Sequence, residues 1–138
     1  VIYSGPGLLS SVNLRWRGQI QENAKSLAYG NEYPELNHNE IVGWQDSDSI
    51  ARDIVVIELA DRDDAGPIRK RMDLTKSLLE SKAADWIRVE STGQSRLARM
   101  MGSVLLGDWV SFHLAEAKGV DPMPVELIDA LKSGLAAG

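Results

Sequence analysis

Apolar and polar positions along the chain change period several times, and the changes mark out its elements. Residues 1–4 are short and largely apolar, which predicts a buried strand, and Gly5-Pro6-Gly7 predicts the turn after it. From Leu8 the period becomes helical. Leu9, Val12, Trp16, Ile20 and Leu27 share one face, predicting a helix to about Ala28 that ends at Gly30-Asn31. Residues 30–36 read as a loop containing Pro34, and 37–44 as a short helix capped by Asn37. DIVVIELA (53–60) carries the strongest strand signal, with the β-branched, continuously apolar centre of a strand covered on both faces. The charged turn DRDDAGP leads to a helix over 66–82, with Pro67 in its first turn and Ile68, Met72, Thr75 and Leu79 facing inward. DWIRVES (85–91) is a third strand. After TGQS come a long helix over 95–118, the turn KGVDPMP and a last helix over 124–135. This alternation predicts an α/β fold: a three-layer sandwich with a mainly parallel sheet flanked by helices.

At 138 residues the chain is expected to form one domain. A chain of this size buries about 68–70 % of its unfolded surface, enough for a core without covalent staples. With no cysteine, disulfides, thiol catalysis and cysteine-based metal sites are excluded. A net charge of −5 argues against nucleic acid or an anionic membrane as a partner. No apolar run approaches the roughly 20 residues of a membrane span, and Val1-Ile2-Tyr3 does not read as a signal peptide. The expectation is a cytoplasmic protein. The chain opens inside a strand and without methionine, so it reads as a fragment, the second half of a larger protein.

Candidate chemistry concentrates in QENAKSLAYGNEYPELNHNEIVGW (21–44), which holds four Glu, four Asn, a Lys and one of the two His. On the helical wheel Glu22 points away from the apolar stripe, with Arg15 and Lys25 on its side. That pattern reads as a solvated face with weak ion pairs, or as a cleft wall if another domain or subunit completes it. His38 lies in a turn-rich segment, where it either caps the backbone or transfers protons near neutral pH. His113 sits among apolar neighbours and is expected at the core or its boundary. Asp108, in the same helix, is either a hydrogen-bonded polar group or a site residue. STGQS (91–95) offers a helix N-cap or a phosphate cradle. No metal-ligand spacing, no G-x-S-x-G elbow and no complete G-x-G-x-x-G are present.

RWRGQIQENAK followed by PELNHNEIVGW, with LGDWVSFHLAEAKGVDPMPVELIDALKSGL at the end, resembles the C-terminal half of the bifunctional phosphoglucose/phosphomannose isomerases of the sugar isomerase (SIS) superfamily. The match runs from near residue 1 to near residue 134. The resemblance implies an SIS-like domain, the C-terminal half of a two-domain enzyme, and aldose–ketose isomerisation of a hexose 6-phosphate through a cis-enediol. It implies Glu22 as the base between C1 and C2. It implies His38, contributed by a neighbouring subunit, as an aid to ring opening, and Lys132 near the ring oxygen, with Lys118 as second candidate. No cofactor is implied. The implied partners are the hexose 6-phosphate, a missing N-terminal SIS domain that supplies most of the phosphate cradle, and a second subunit in a homodimer. That second subunit would meet residues 35–44, with Ile41 and Trp44 as anchors. Family members often carry a Thr near the last helix, where this chain has Met123-Pro124-Val125, which bears on the mannose side of the specificity. The alternative is a non-catalytic SIS module that binds a sugar phosphate for regulation or assembly, since one fold hosts both kinds of work. The full Glu-His-Lys set favours the enzyme.

Overall fold

The structure, a computed structural model, describes residues 1–136. Strand β1 (Ile2–Ser4) leads to helix α1 (Ser10–Ala24) and strand β2 (Gly30–Glu32). A 3-10 turn (Glu35–Asn37) and two short helices, α2 (Glu40–Gly43) and α3 (Asp48–Ala51), bridge to β3 (Val55–Ala60). Helix α4 (Gly66–Leu79), β4 (Asp85–Glu90), α5 (Arg96–Lys118) and α6 (Glu126–Ala136) complete the order. Among the described residues the strands form one parallel sheet in the order β2–β1–β3–β4. Ile2 faces Gly30 on one side and Ile57 on the other, and Val56 faces Trp86.

Strand alternation sends side chains to two cores. Tyr3, Val56, Ala60 and Trp86 pack with Leu36, Trp44, Ala51, Met72 and Leu79 under the 35–51 segment and α4. Ile2 and Leu59 pack with Leu9, Val12, Trp16 and Ile20 under α1 and α5. The three-layer α/β architecture and the parallel sheet are those the sequence predicts. Inward placement of Met72, Thr75 and Leu79 also agrees, and Pro67 sits in the first turn of α4.

Several local expectations are corrected. Helix α1 ends four residues early, at Ala24, so Leu27 lies beyond it and is 81 % exposed. Gly30-Asn31 starts β2 instead of closing a helix. Strand β2 has no apolar pattern, because it forms through its backbone. Gly30 lies where a Cβ would overlap the Ile2 carbonyl oxygen, and the buried Asn13 amide donates to the carbonyls of Ile2 and Asn31, both at 3.2 Å. The cap at the 37–44 segment is Asn39, whose side chain accepts from the Glu40 N–H.

Helix α5 meets α1 through a ladder of mostly small residues at every fourth position: Arg99, Ser103, Gly107, Ser111 and Ala115. Ridges at this spacing allow close helix approach. The Trp16 indole lies where a side chain on Gly107 would stand and donates to the Ser103 carbonyl at 2.8 Å. The larger apolar residues Leu97, Met101, Leu105, Trp109 and Phe112 therefore face outward and are exposed. His113 goes with them, against the expectation of a core or boundary place. It stacks on Trp109 and holds Glu116 at 2.7 Å.

The polar side chains of 31–44 are mostly stitched to the body. Tyr3 donates to Glu40 at 2.5 Å, Asn31 donates to Glu40 at 2.9 Å, and Asn37 donates to Thr75 at 2.8 Å. Burial, and then the hydrogen bond to Glu40, raises the Tyr3 phenol above its ordinary range. Burial and the Glu58 carboxylate do the same for Tyr33. Both phenols are retained as acids by the fold and released near pH ~10 in the unfolded chain. Their contribution to stability is whole below that pH and lost above it. On alkaline titration, phenolate absorbance from these two is expected to appear only together with loss of the far-ultraviolet dichroism. Their ionisation in an intact fold would refute this.

Candidate active-site groove

Glu22 lies in the last turn of α1, on the face opposite the Trp16/Ile20 stripe. There the connection from α5 to α6 comes back across the helix and makes a groove of about 740 Å³. Its walls are Gly18, Gln21, Glu22 and Lys25 on one side and Val120, Pro124, Val125, Leu127 and Ile128 on the other. Glu22 also borders a shallower depression of about 330 Å³ with Ser11, Leu14, Arg15, Gly18 and Gln19. Gly18, one turn before Glu22, leaves the floor between the two open.

The carboxylate of Glu22 is exposed and takes no hydrogen bond or ion pair among the described residues. The weak ion pairs expected from the wheel do not form. Arg15 instead donates to both oxygens of Asp108 at 3.1 Å, and Gln19 donates to Asp108 at 2.8 Å. Asp108 is thus a half-exposed polar anchor that fixes two side chains beside Glu22. Lys25 is engaged with carbonyls, at 2.6 Å from that of Glu22. The i, i+4 spacing of Arg15 and Gln19 was the available signal for this network, but their partner lies in another helix.

His38 is exposed and follows the carboxyl end of β2, next to Leu36 in the core on the α4 side. Glu22 stands at the opposite end of the sheet and on the α1/α5 side, so this chain does not bring the two together. Trp44 is buried in the chain's own core, where its indole donates to the Tyr3 hydroxyl at 3.2 Å. It is therefore not free to anchor a partner, and the exposed apolar residues of that region are Val42 and Ile50. Lys132 lies on α6, none of whose residues is buried. Only the first turn of α6 lines the groove, and Lys132 stands further along the helix. Lys118 is committed to the α1 carboxyl end, donating to the Ala24 carbonyl at 2.8 Å and the Ser26 hydroxyl at 2.6 Å.

The carboxyl ends of β1 and β3 form the point where strand order reverses, the usual ligand crevice of open parallel sheets. Here it is an acidic cleft of about 240 Å³ lined by Asp61, Asp63, Asp64 and Arg96. Arg99 closes its base, donating to Asp61 at 2.8 Å and also to Asp63. Burial opposes charge on Asp61, yet hydrogen bonds from Arg99 and Ser91 hold its carboxyl below the ordinary range. Burial raises that of Asp64. In the STGQS segment, Ser95 caps α5 by accepting from the Ala98 N–H at 3.1 Å, so the N-cap reading applies. Among the described residues no helix is long and apolar enough to cross a membrane.

The layer order, the parallel sheet and the groove at the end of α1 define an SIS-type α/β domain. A glucose-6-phosphate isomerase-like protein from Thermus thermophilus has the same fold, at a TM-score of 0.68 over 91 % of this chain and 42 % of that one, with 23 % identity. The chain belongs to the family described as the bacterial phospho-glucose isomerase C-terminal SIS domain, whose model matches residues 1–135. Among curated relatives, the bifunctional phosphoglucose/phosphomannose isomerase of Caldicellulosiruptor bescii is 43 % identical over 99 % of this chain and 40 % of that protein. The one from Aquifex aeolicus is 41 % identical over 98 % of this chain and 42 % of that protein. The chain thus spans about two fifths of the length of these relatives.

Proposed function

We propose that this chain is the C-terminal SIS half of a two-domain hexose 6-phosphate isomerase interconverting glucose 6-phosphate or mannose 6-phosphate with fructose 6-phosphate. One observation carries the reading. Glu22 stands on a groove wall with an uncommitted carboxylate, while both cations on its face are engaged elsewhere. A base that must take a proton from C2 and return it to C1 on one face of a cis-enediol needs that freedom.

In this reading Glu22 moves the proton. His38 of a second copy supports ring opening, which fits its distance from Glu22 within one chain. Lys132 acts near the ring oxygen. The phosphate is held by residues of the remaining part of the longer protein, since the cleft at the strand-order reversal is acidic. The outward row Leu97, Met101, Leu105 and Trp109 on α5 is assigned to contact with that part. Val42 and Ile50 would meet the second copy.

The test is an isomerase assay on the full-length protein and, separately, on residues 1–138. Fructose 6-phosphate is supplied, and glucose 6-phosphate and mannose 6-phosphate are followed independently. Turnover by the full-length protein, with little or none by the shorter chain, is expected. A full-length protein that binds hexose phosphates without converting them would replace the enzyme with a sugar-phosphate-binding module.

A further inference from the structure

Lys25 follows α1 in the left-handed conformation (φ 50°, ψ 41°), the one non-glycine residue with positive φ among the described residues. Side chains with a Cβ avoid this region, and helix ends there normally recruit glycine. The ammonium group of Lys25 has three N–H donors and meets three carbonyls: Glu22 at 2.6 Å, Pro124 at 2.6 Å and Pro122 at 3.2 Å. A lysine that only capped α1 would satisfy carbonyls of its own last turn. Lys25 commits two of its three bonds to the segment that launches α6.

That segment has little else to fix it. Prolines 122 and 124 have no N–H to give, and α6 beyond them buries none of its residues. The direction in which α6 leaves the body is therefore set where Lys25 grips Pro122 and Pro124. The same ammonium holds the backbone carbonyl of Glu22. From the other side Lys118 ties the end of α5 to the Ala24 carbonyl and the Ser26 hydroxyl. One cation thus joins the residue bearing the free carboxylate to the helix bearing Lys132.

We propose that Lys25 is a positioning residue that registers α6, and Lys132 with it, against Glu22. Its catalytic consequence rests on the isomerase reading above. The register itself does not.

The experiment compares wild type with Lys25→Gly, Lys25→Met and Lys25→Arg in the full-length protein. Glycine accepts the left-handed backbone without strain, so Lys25→Gly removes the ammonium without adding backbone strain at the helix end. Amide hydrogen exchange over 124–136 is expected to quicken about tenfold in Lys25→Gly and Lys25→Met, with α1 unchanged. The kcat for isomerisation falls roughly ten- to a hundredfold, KM moves little, and Lys25→Arg recovers part of the loss. Unchanged exchange over 124–136 overturns the clamp, whatever the activity does. Faster exchange with undiminished kcat overturns the positioning role. A wild-type protein without isomerase activity overturns the isomerase reading instead, and the exchange comparison still decides whether Lys25 sets the register.

Discussion

Replacing Glu22 by glutamine in the full-length protein is expected to lower kcat about 10²–10⁴-fold, with much smaller changes in KM. The amide keeps the size and hydrogen-bonding reach of the carboxylate but cannot take up the C2 proton. Because Glu22 has no ion-pair partner among the described residues, the substitution breaks no bridge, so the melting temperature should hold. That separates loss of a base from loss of fold. Mixing Glu22→Gln with His38→Ala subunits should restore activity that neither variant has alone, since the proposed site draws the two residues from different copies. A Glu22→Gln enzyme within about tenfold of wild type would end its role as the base.

The largest stability effect is expected beneath α4. Glu58, in the middle of β3, is 0 % exposed. It accepts from the Tyr33 hydroxyl at 2.6 Å and from Arg88 at 2.5 Å, and Arg88 also reaches Asp73 at 2.7 Å. Arg88→Met leaves a buried carboxylate with a single neutral donor. Breaking a buried pair in this way costs about 3–5 kcal/mol. Combining it with Glu58→Gln removes the stranded charge, keeps an acceptor for Tyr33 and should recover most of the loss. Urea midpoints of wild type, the two single variants and the double variant measure this. A loss under about 1 kcal/mol for Arg88→Met would show that the pair with Arg88 is not what holds Glu58 in the core.

Elements whose reason for existing is apolar burial were legible in the sequence. The β-branched run of β3 and the Met72/Thr75/Leu79 face of α4 appear where period and composition put them. Strand β2 was not legible, because its pairing depends on Gly30 and on Asn13 from another element, not on its own side chains. The place of His113 was misread for a related reason. Its apolar neighbours suggested the core or its boundary, but contact with Trp16 requires small residues on the inner face of α5, and His113 lies outside it. At the site, the wheel correctly put Glu22 in solvent. The groove beside it depends on residues about a hundred positions later folding back, which no local pattern reveals. The distance of His38 from Glu22 was implied only by family resemblance, as a second subunit's contribution.

The ladder on α5 also divides that helix into two populations of substitutions. On the inner side, Ser103, Gly107 and Ser111 answer only to α1, so the permitted residues there are fixed within this chain and stay small whatever surrounds it. On the outer side, Leu97, Met101, Leu105 and Trp109 are exposed. Their tolerance is set by whatever lies against them. Selection for the folded fragment alone would leave that row free to drift toward polar residues, while selection for the working protein would hold it. The difference between the two patterns would trace the outline of the covering surface one side chain at a time.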